Sequence, residues 1–233
     1  MENLIEFFLK AGEVKRLKQR GLVLRGVKDP ALVGGHSFRT AIMAWALARK
    51  GNKGLDTSRL IKIILIHDLI EGYAGDLTPY EPVIGKTSKR NFAKMYKKWV
   101  RVSKKEKERF SKQRRTRERK ALKELVLLLP RSLAAEVQSL WAEYDQYLTR
   151  DGRFVHQIHM LGNHLQFLEY WEKDKSFPIE SWWHEVKELI SDPVLVEFAI
   201  GLDVKFHGYK KRRPRASVWA FGLFGLWVIK GVR

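Results

Sequence analysis

Apolar and charged positions recur at helical spacing along most of this chain. Residues 2–18 alternate in this way, which predicts an opening helix. Residues 19–35 break the pattern with four glycines and a proline, and they predict a loop with a short extended piece. Residues 37–50 are apolar with small side chains, as a tightly packed inner helix requires, and Gly51 and Gly54 end it. Asp56, Thr57 or Ser58 can cap the next helix, which runs through LIKIILIHDLIEGY. Gly72 and Gly75 weaken its end, and Pro79 and Pro82 forbid a continuation. The stretch from about 86 to 124 reads as a solvated helix or helix pair, with Phe92, Tyr96, Trp99, Val100 and Phe110 as a thin apolar stripe. Beyond Pro130 a helix is predicted over 131–148, a turn at Asp151–Gly152, and a strongly apolar helix through FVHQIHMLGNHLQFLEYWE. Pro178 and Pro193 are placed to open two more helices in the first turn. No strand pattern competes with these segments, so the predicted fold class is all-α.

Composition narrows the picture. The 233 residues suit one globular domain, or one domain with an appendage, and 45% apolar content excludes a wholly disordered chain. With no cysteine, the chain has no disulfide, no thiolate-ligated zinc or iron–sulfur cluster and no cysteine nucleophile, which suits a cytoplasmic location. The first twenty residues are charged every few positions, so neither a secretory signal nor an amino-terminal anchor is expected. No uncharged apolar stretch is long enough to predict a transmembrane helix.

Charge is concentrated. The formal net charge is +19, yet residues 86–120 hold 17 Lys and Arg against three acids, and residues 205–215 add six cations and no acid. The rest of the chain is close to neutral. Any polyanion contact is therefore expected through one basic helical arm and one short cluster. The final block, residues 216–229, is uncharged and rich in Trp and Phe, and it follows the basic KKRRPR. Membrane-interface contact and packing against the body or a second subunit both remain open for it.

Three pieces carry candidate chemistry: Gly-Gly-His36-Ser-Phe-Arg, Ile-His67-Asp68-Leu-Ile-Glu71, and Gly75-Asp76-Leu77-Thr78-Pro79. His67 and Asp68 project about 100° apart from one helix and can reach one point beside it. Glu71 follows one turn after His67 on the same face. A greasy helix that spends three positions on His, Asp and Glu points to paired charges or a metal. Imidazole and carboxylate donors suit Zn, Mn, Fe, Co or Ni better than Ca. Taken alone, His36 reads as a helix-start residue bonded to backbone.

In this order and context the pieces resemble the HD-domain superfamily of metal-dependent phosphohydrolases, and most of all its 5′-deoxynucleotidase-like branch. Arg20, Leu24-Arg25-Gly26-Val27, LLLP, SLWAEYD and the FVHQIHM helix extend the resemblance over about residues 5–172. It implies a helical HD bundle over 1–175 with an expanded basic insertion at about 86–120, then C-terminal helices and an apolar tail over 176–233. It also implies roles for single residues. His36, His67 and Asp68 would ligate a divalent transition metal, one of Mn, Co, Ni, Zn or Fe. Glu71 would position or deprotonate the attacking water, or protonate the leaving oxygen. Asp76 would contact the sugar hydroxyl, and Arg20 would hold the phosphate with its planar fork. The implied reaction is hydrolysis of a nucleoside 5′-monophosphate or related phosphomonoester to nucleoside and phosphate. A homodimer is an expectation of the same kind.

Two departures qualify the resemblance. The branch carries an Asp as fourth ligand where this chain has His159, so the set becomes three His and one Asp, or His156 substitutes, or the site is degraded. Gly21 and Leu22 follow Arg20 where the branch often has a Trp that crowds the ribose 2′ side, which leaves the sugar preference open. Asn163 is placed one turn from His159, while His164, His184 and His207 read as packing or surface residues. The alternative reading is a protein that binds nucleic acid or an anionic membrane surface through residues 86–120, on an HD scaffold with weakened or lost catalysis.

Overall fold

A computed structural model describes residues 1–51, 54–78 and 103–207. The expectations for Pro79, Pro82, the first part of the basic arm and the apolar tail fall outside these residues. Among the described residues the chain is all-α: α1 (Glu2–Glu13), a 3-10 turn (Val14–Arg16), α2 (Arg20–Leu24), α3 (Val33–Gly51), α4 (Thr57–Ala74), α5 (Lys104–Val126), α6 (Arg131–Gln146), α7 (Arg150–Lys173), α8 (Glu180–Leu189) and α9 (Pro193–His207). No described helix is long and apolar enough to cross a membrane.

Local chemistry explains most boundaries. Asp56 caps α4 by accepting from the Arg59 amide at 3.1 Å. Ser103 and Glu106 form a reciprocal capping box at the start of α5. Thr149 caps α7 by accepting from the Gly152 amide at 3.0 Å. Gly75 ends α4 with a φ of 88°, a conformation glycine adopts without a Cβ clash.

The structure corrects four details of the sequence reading. Residues 20–24, expected as loop, form α2, and the extended piece is an isolated bridge between Lys18 and Leu32. Helix α3 starts at Val33, so Gly34 and Gly35 lie inside it. Asp151 and Gly152 belong to the first turn of α7; the reversal falls earlier, at Tyr147 with φ 53°. Gly152 is there for proximity, since a Cβ would run into the Glu143 carbonyl of α6. Pro193 opens α9 as expected, whereas α8 begins at Glu180, two residues after Pro178.

Three apolar clusters hold the helices. The first joins Met43 and Ala44 of α3, Ile63 and Ile64 of α4, Leu140 and Tyr144 of α6, Val155 and Ile158 of α7, and Leu195 of α9. A second packs Leu69 and Ile70 of α4 against Leu122 and Leu125 of α5 and Trp141 of α6, with α1 partly covering it. The third sets Leu22 of α2 against Phe167 and Leu168 of α7 and Trp183 of α8. Helix α4 thus serves the first and second clusters and α7 the first and third. That is why neither shows a single apolar stripe, and why polar side chains on their shared faces are fully enclosed.

Candidate metal centre

The candidate site lies where α3, α4 and α7 meet. His67, Asp68 and Glu71 come from α4, His36 from α3 and His159 from α7. One donor atom each from His67, Asp68, Glu71 and His159 fall within 4.8 Å of one another. His159 Nε2 stands 3.3 Å from Asp68 Oδ1, and His67 Nε2 stands 3.7 Å from the same oxygen and 3.4 Å from Glu71 Oε2. His36 stands outside this group of four: its ring meets His159 edge-to-face with centroids 4.7 Å apart, and its Nε2 lies 3.4 Å from Thr40 Oγ1.

The chemistry of these atoms fits a cation. His67 Nε2, His36 Nδ1 and both carboxylate oxygens of Asp68 are buried without an aligned hydrogen bond among the described residues, and Asp68 Oδ1 has only the ion-pair contacts of the two imidazoles. Buried polar atoms of that kind are costly, and a carboxylate with both oxygens unsatisfied is the most costly of them. The imidazoles of His67 and His159 beside the carboxylates of Asp68 and Glu71 make a donor set suited to a divalent transition metal.

Electrostatics point the same way. Burial pushes His36 down to about 3 and holds His67 well below the ordinary imidazole range, so both rings are neutral donors at neutral pH. Burial pushes the Asp68 carboxyl up, but His159, His67 and His36 outweigh it and keep the group ionised. Glu71 is raised well above the carboxylate range by burial and by the charges of Asp76 and Asp68.

The two remaining expected residues are tied together. The backbone amide of Arg20 donates to Asp76 Oδ2 at 2.6 Å, which joins the start of α2 to the segment after α4. Gln19 supports the same region by donating from Nε2 to Asn163 Oδ1 at 3.2 Å. His156, the alternative ligand, is outside the donor group; its Nε2 meets the Tyr147 hydroxyl at 3.1 Å. His164 lies in the third cluster against Trp183, ring centroids 4.1 Å apart.

Sequence reading missed several contributors. Tyr144 stacks on His67 with centroids 3.7 Å apart, and its SLWAEYD context was the available signal. Gly162 allows α3 and α7 to touch: a Cβ there would lie 2.7 Å from Thr40 Oγ1 and 3.2 Å from His36 Cε1. Arg114, from the basic helix, acts electrostatically on Glu71, His67 and Tyr144. Nothing in a run of cations singles it out except its spacing from Phe110 and Glu118.

An all-α body that buries a His–Asp–His donor group with an adjacent raised carboxyl defines the class of metal-dependent phosphohydrolases. The chain belongs to the HD-domain family, whose model matches residues 11–194. It is 30% identical over 174 residues to the 5'-deoxynucleotidase HDDC2 of Xenopus laevis, covering 75% of this chain and 72% of that protein. It is 28% identical over 204 residues to the Bos taurus protein of that name, covering 87% and 85%. Among solved structures, a Magnetospirillum magnetotacticum protein described as a metal-dependent phosphohydrolase superposes with a TM-score of 0.59 at 22% identity, covering 88% of this chain and 92% of that one. A conserved hypothetical protein from Pyrococcus furiosus gives 0.60 at 22% identity, covering 85% and 98%. The chain is a hydrolase of this family.

Proposed function

We propose that this protein hydrolyses nucleoside 5′-monophosphates or closely related phosphomonoesters, releasing nucleoside and phosphate. The observation that carries the reading is the enclosed group of His67, Asp68, Glu71 and His159, with neither Asp68 oxygen in an aligned hydrogen bond. His36, His67, Asp68 and His159 are the proposed metal ligands. A bound divalent metal would polarise the phosphate and lower the pKa of a water. Glu71 is raised by burial and by Asp76 and Asp68, which suits it to exchange a proton with the attacking water or the leaving oxygen. Arg20 takes the phosphate. Asp76 fixes the Arg20 segment through its amide and stands ready for a sugar hydroxyl. The deoxynucleotidase names of the relatives support the nucleotide class. Position 21 is glycine where the branch often has a Trp, so the sugar preference is left to the substrate panel. We assign the activity to the cytoplasm, where such nucleotides occur.

The test is phosphate release from a panel of ribo- and deoxyribonucleoside monophosphates by metal-stripped protein given Mn, Co, Ni, Zn or Mg singly. Metal-dependent turnover is expected, better with Co, Ni or Zn than with Mg because three donors are imidazoles. Asp68→Ala should lose its bound metal and more than about 100-fold in turnover, since even outer supports of such ligands are worth 10- to 100-fold. Full turnover in that variant rejects the assignment.

A second reading rests on α5. Eight of its cations, Lys105, Arg109, Lys112, Arg115, Arg117, Arg119, Lys120 and Lys123, have exposed side chains. They favour a contact with nucleic acid or another polyanion, alongside catalysis or in place of it.

A further inference from the structure

We propose that Arg114, on the inner face of the basic helix α5, is a second phosphate-binding residue of the candidate metal centre, in addition to Arg20. The proposal rests on the phosphohydrolase reading above and gives the basic helix a part in the active site.

Register is the first reason. Of the α5 cations whose side chains are described, Arg114 alone is not exposed. It lies one turn after Phe110 and one turn before Glu118, which are 7% and 3% exposed. Three positions four residues apart share one helix face, so Arg114 points with them into the body. The same face continues through Ala121, Leu122 and Leu125 onto Leu69 and Ile70 of α4, the two residues that follow Asp68.

The charge of Arg114 is felt where the substrate would sit. Among the described residues its positive charge opposes the upward shift of Glu71, and it also acts on His67, Tyr144, Tyr147 and His156. The ionised carboxylate of Asp68 would repel a phosphate ester if nothing offset it.

A structural ion pair does not exhaust this guanidinium. Its Nη1 lies 3.2 Å from Glu118 Oε1, yet that oxygen has no aligned hydrogen bond among the described residues. The side chain keeps 29% exposure, whereas the Glu118 side chain keeps 4%. Glu118 therefore anchors one edge of the group from below. A guanidinium carries five donors, and a bidentate contact to a phosphate needs only two of them.

The test uses metal-loaded, full-length protein and four variants: Arg114→Gln, Arg114→Lys, Glu118→Gln and, as an exposed control, Arg117→Gln. Measured are the Kd of inorganic phosphate by calorimetry, KM and kcat for the best phosphomonoester of the panel, Tm, and metal content. Arg114→Gln should weaken phosphate binding and raise KM by about 10- to 100-fold, the loss expected for one charge-assisted hydrogen-bonding group. Metal content should stay the same and kcat should fall less than KM rises. Arg114→Lys should recover part of the loss, Arg117→Gln should keep the wild-type phosphate affinity, and Glu118→Gln, which removes only the anchor of the group, should lose clearly less affinity than Arg114→Gln. Unchanged Kd and KM in Arg114→Gln overturn the proposal. So do equal losses of Tm and phosphate affinity in Arg114→Gln and Glu118→Gln, which would make the pair a buttress. A wild type that binds phosphate but hydrolyses no ester rejects the hydrolase reading alone, and the Kd series still decides Arg114. A wild type that neither binds nor turns over rejects both.

Discussion

His164 is a buried titratable group that the candidate centre does not use. Its side chain is fully enclosed, neither ring nitrogen has a hydrogen-bond partner among the described residues, and burial pushes it down to about 3. The unfolded chain, with ordinary imidazoles near 6.5, takes up this proton first as pH falls. The stability tied to neutral His164 is therefore complete above about pH 6.5 and drains away between there and about pH 3. The slope approaches about 1.4 kcal/mol per pH unit per histidine. His36, down to about 3, and His156, down to about 4, add losses of the same sign. Urea unfolding at pH 7.5, 6, 5 and 4 should show this fall, and His164→Met should flatten it by nearly one proton's worth; an unaltered slope rejects the assignment. At this scale the sequence was legible wherever polarity stood out. His67, Asp68 and Glu71 interrupt an apolar helix and announce themselves. Tyr144 and Arg114 do not, because an aromatic among apolar residues, or a cation among cations, has no contrast until the packing is known.

Helices α3 and α7 depend on one glycine for their approach. With His36 on one and His159 on the other, their separation sets whether two proposed ligands converge. Gly162→Ala would push a methyl group against Thr40 Oγ1 and His36 Cε1. It should cost about 1–3 kcal/mol of stability, as overpacking generally does. It should also weaken metal binding, both read by melting and metal titration. Removing the hydroxyl as well, in Gly162→Ala with Thr40→Ala, should restore part of each. A single variant with unchanged metal affinity would show that the centre tolerates a wider helix spacing. The longer elements α3, α4 and α7 were readable from apolar spacing and caps. Helix α2 was not: five residues bounded by Gly26 carry too little periodicity, and its place is set by contacts with Asp76 and Ala31 that are remote in sequence. The start of α3 was misplaced for a related reason, since Gly34 serves close packing on Lys15, where a Cβ would lie 3.2 Å from its Cα.

Across the whole molecule, charge and apolar packing are separated. The body is near neutral, and the basic excess lies in two segments, of which α5 is the part described. Its exposed cations should bind DNA or RNA without sequence preference. The dependence of log K on log salt should have a slope of about −0.7 to −0.9 per neutralised phosphate. Charge reversal at Lys112, Arg115 and Arg119 should flatten that slope without altering hydrolysis of a small ester. Arg114→Gln should do the opposite, which separates the outer face of the helix from its inner one. An unchanged slope after reversal rejects the outer face as a polyanion surface. Composition disclosed the amount of charge from the start; only the packing of Phe110 and Glu118 shows which way each cation points.

The first apolar cluster draws on Met43 and Ala44 near one end of the chain and on Leu195 and Ala199 far along it. Synthesis emits a chain in order, at roughly 5–20 residues per second. The helix bearing His36 therefore leaves the ribosome roughly 10–30 s before the last of its core partners can exist. Until α6 and α7 emerge, the apolar flanks of α3 and α4 in this cluster have only each other, and the third helix of the site arrives late. The order in which the core can close is thus set by where its residues sit along the message.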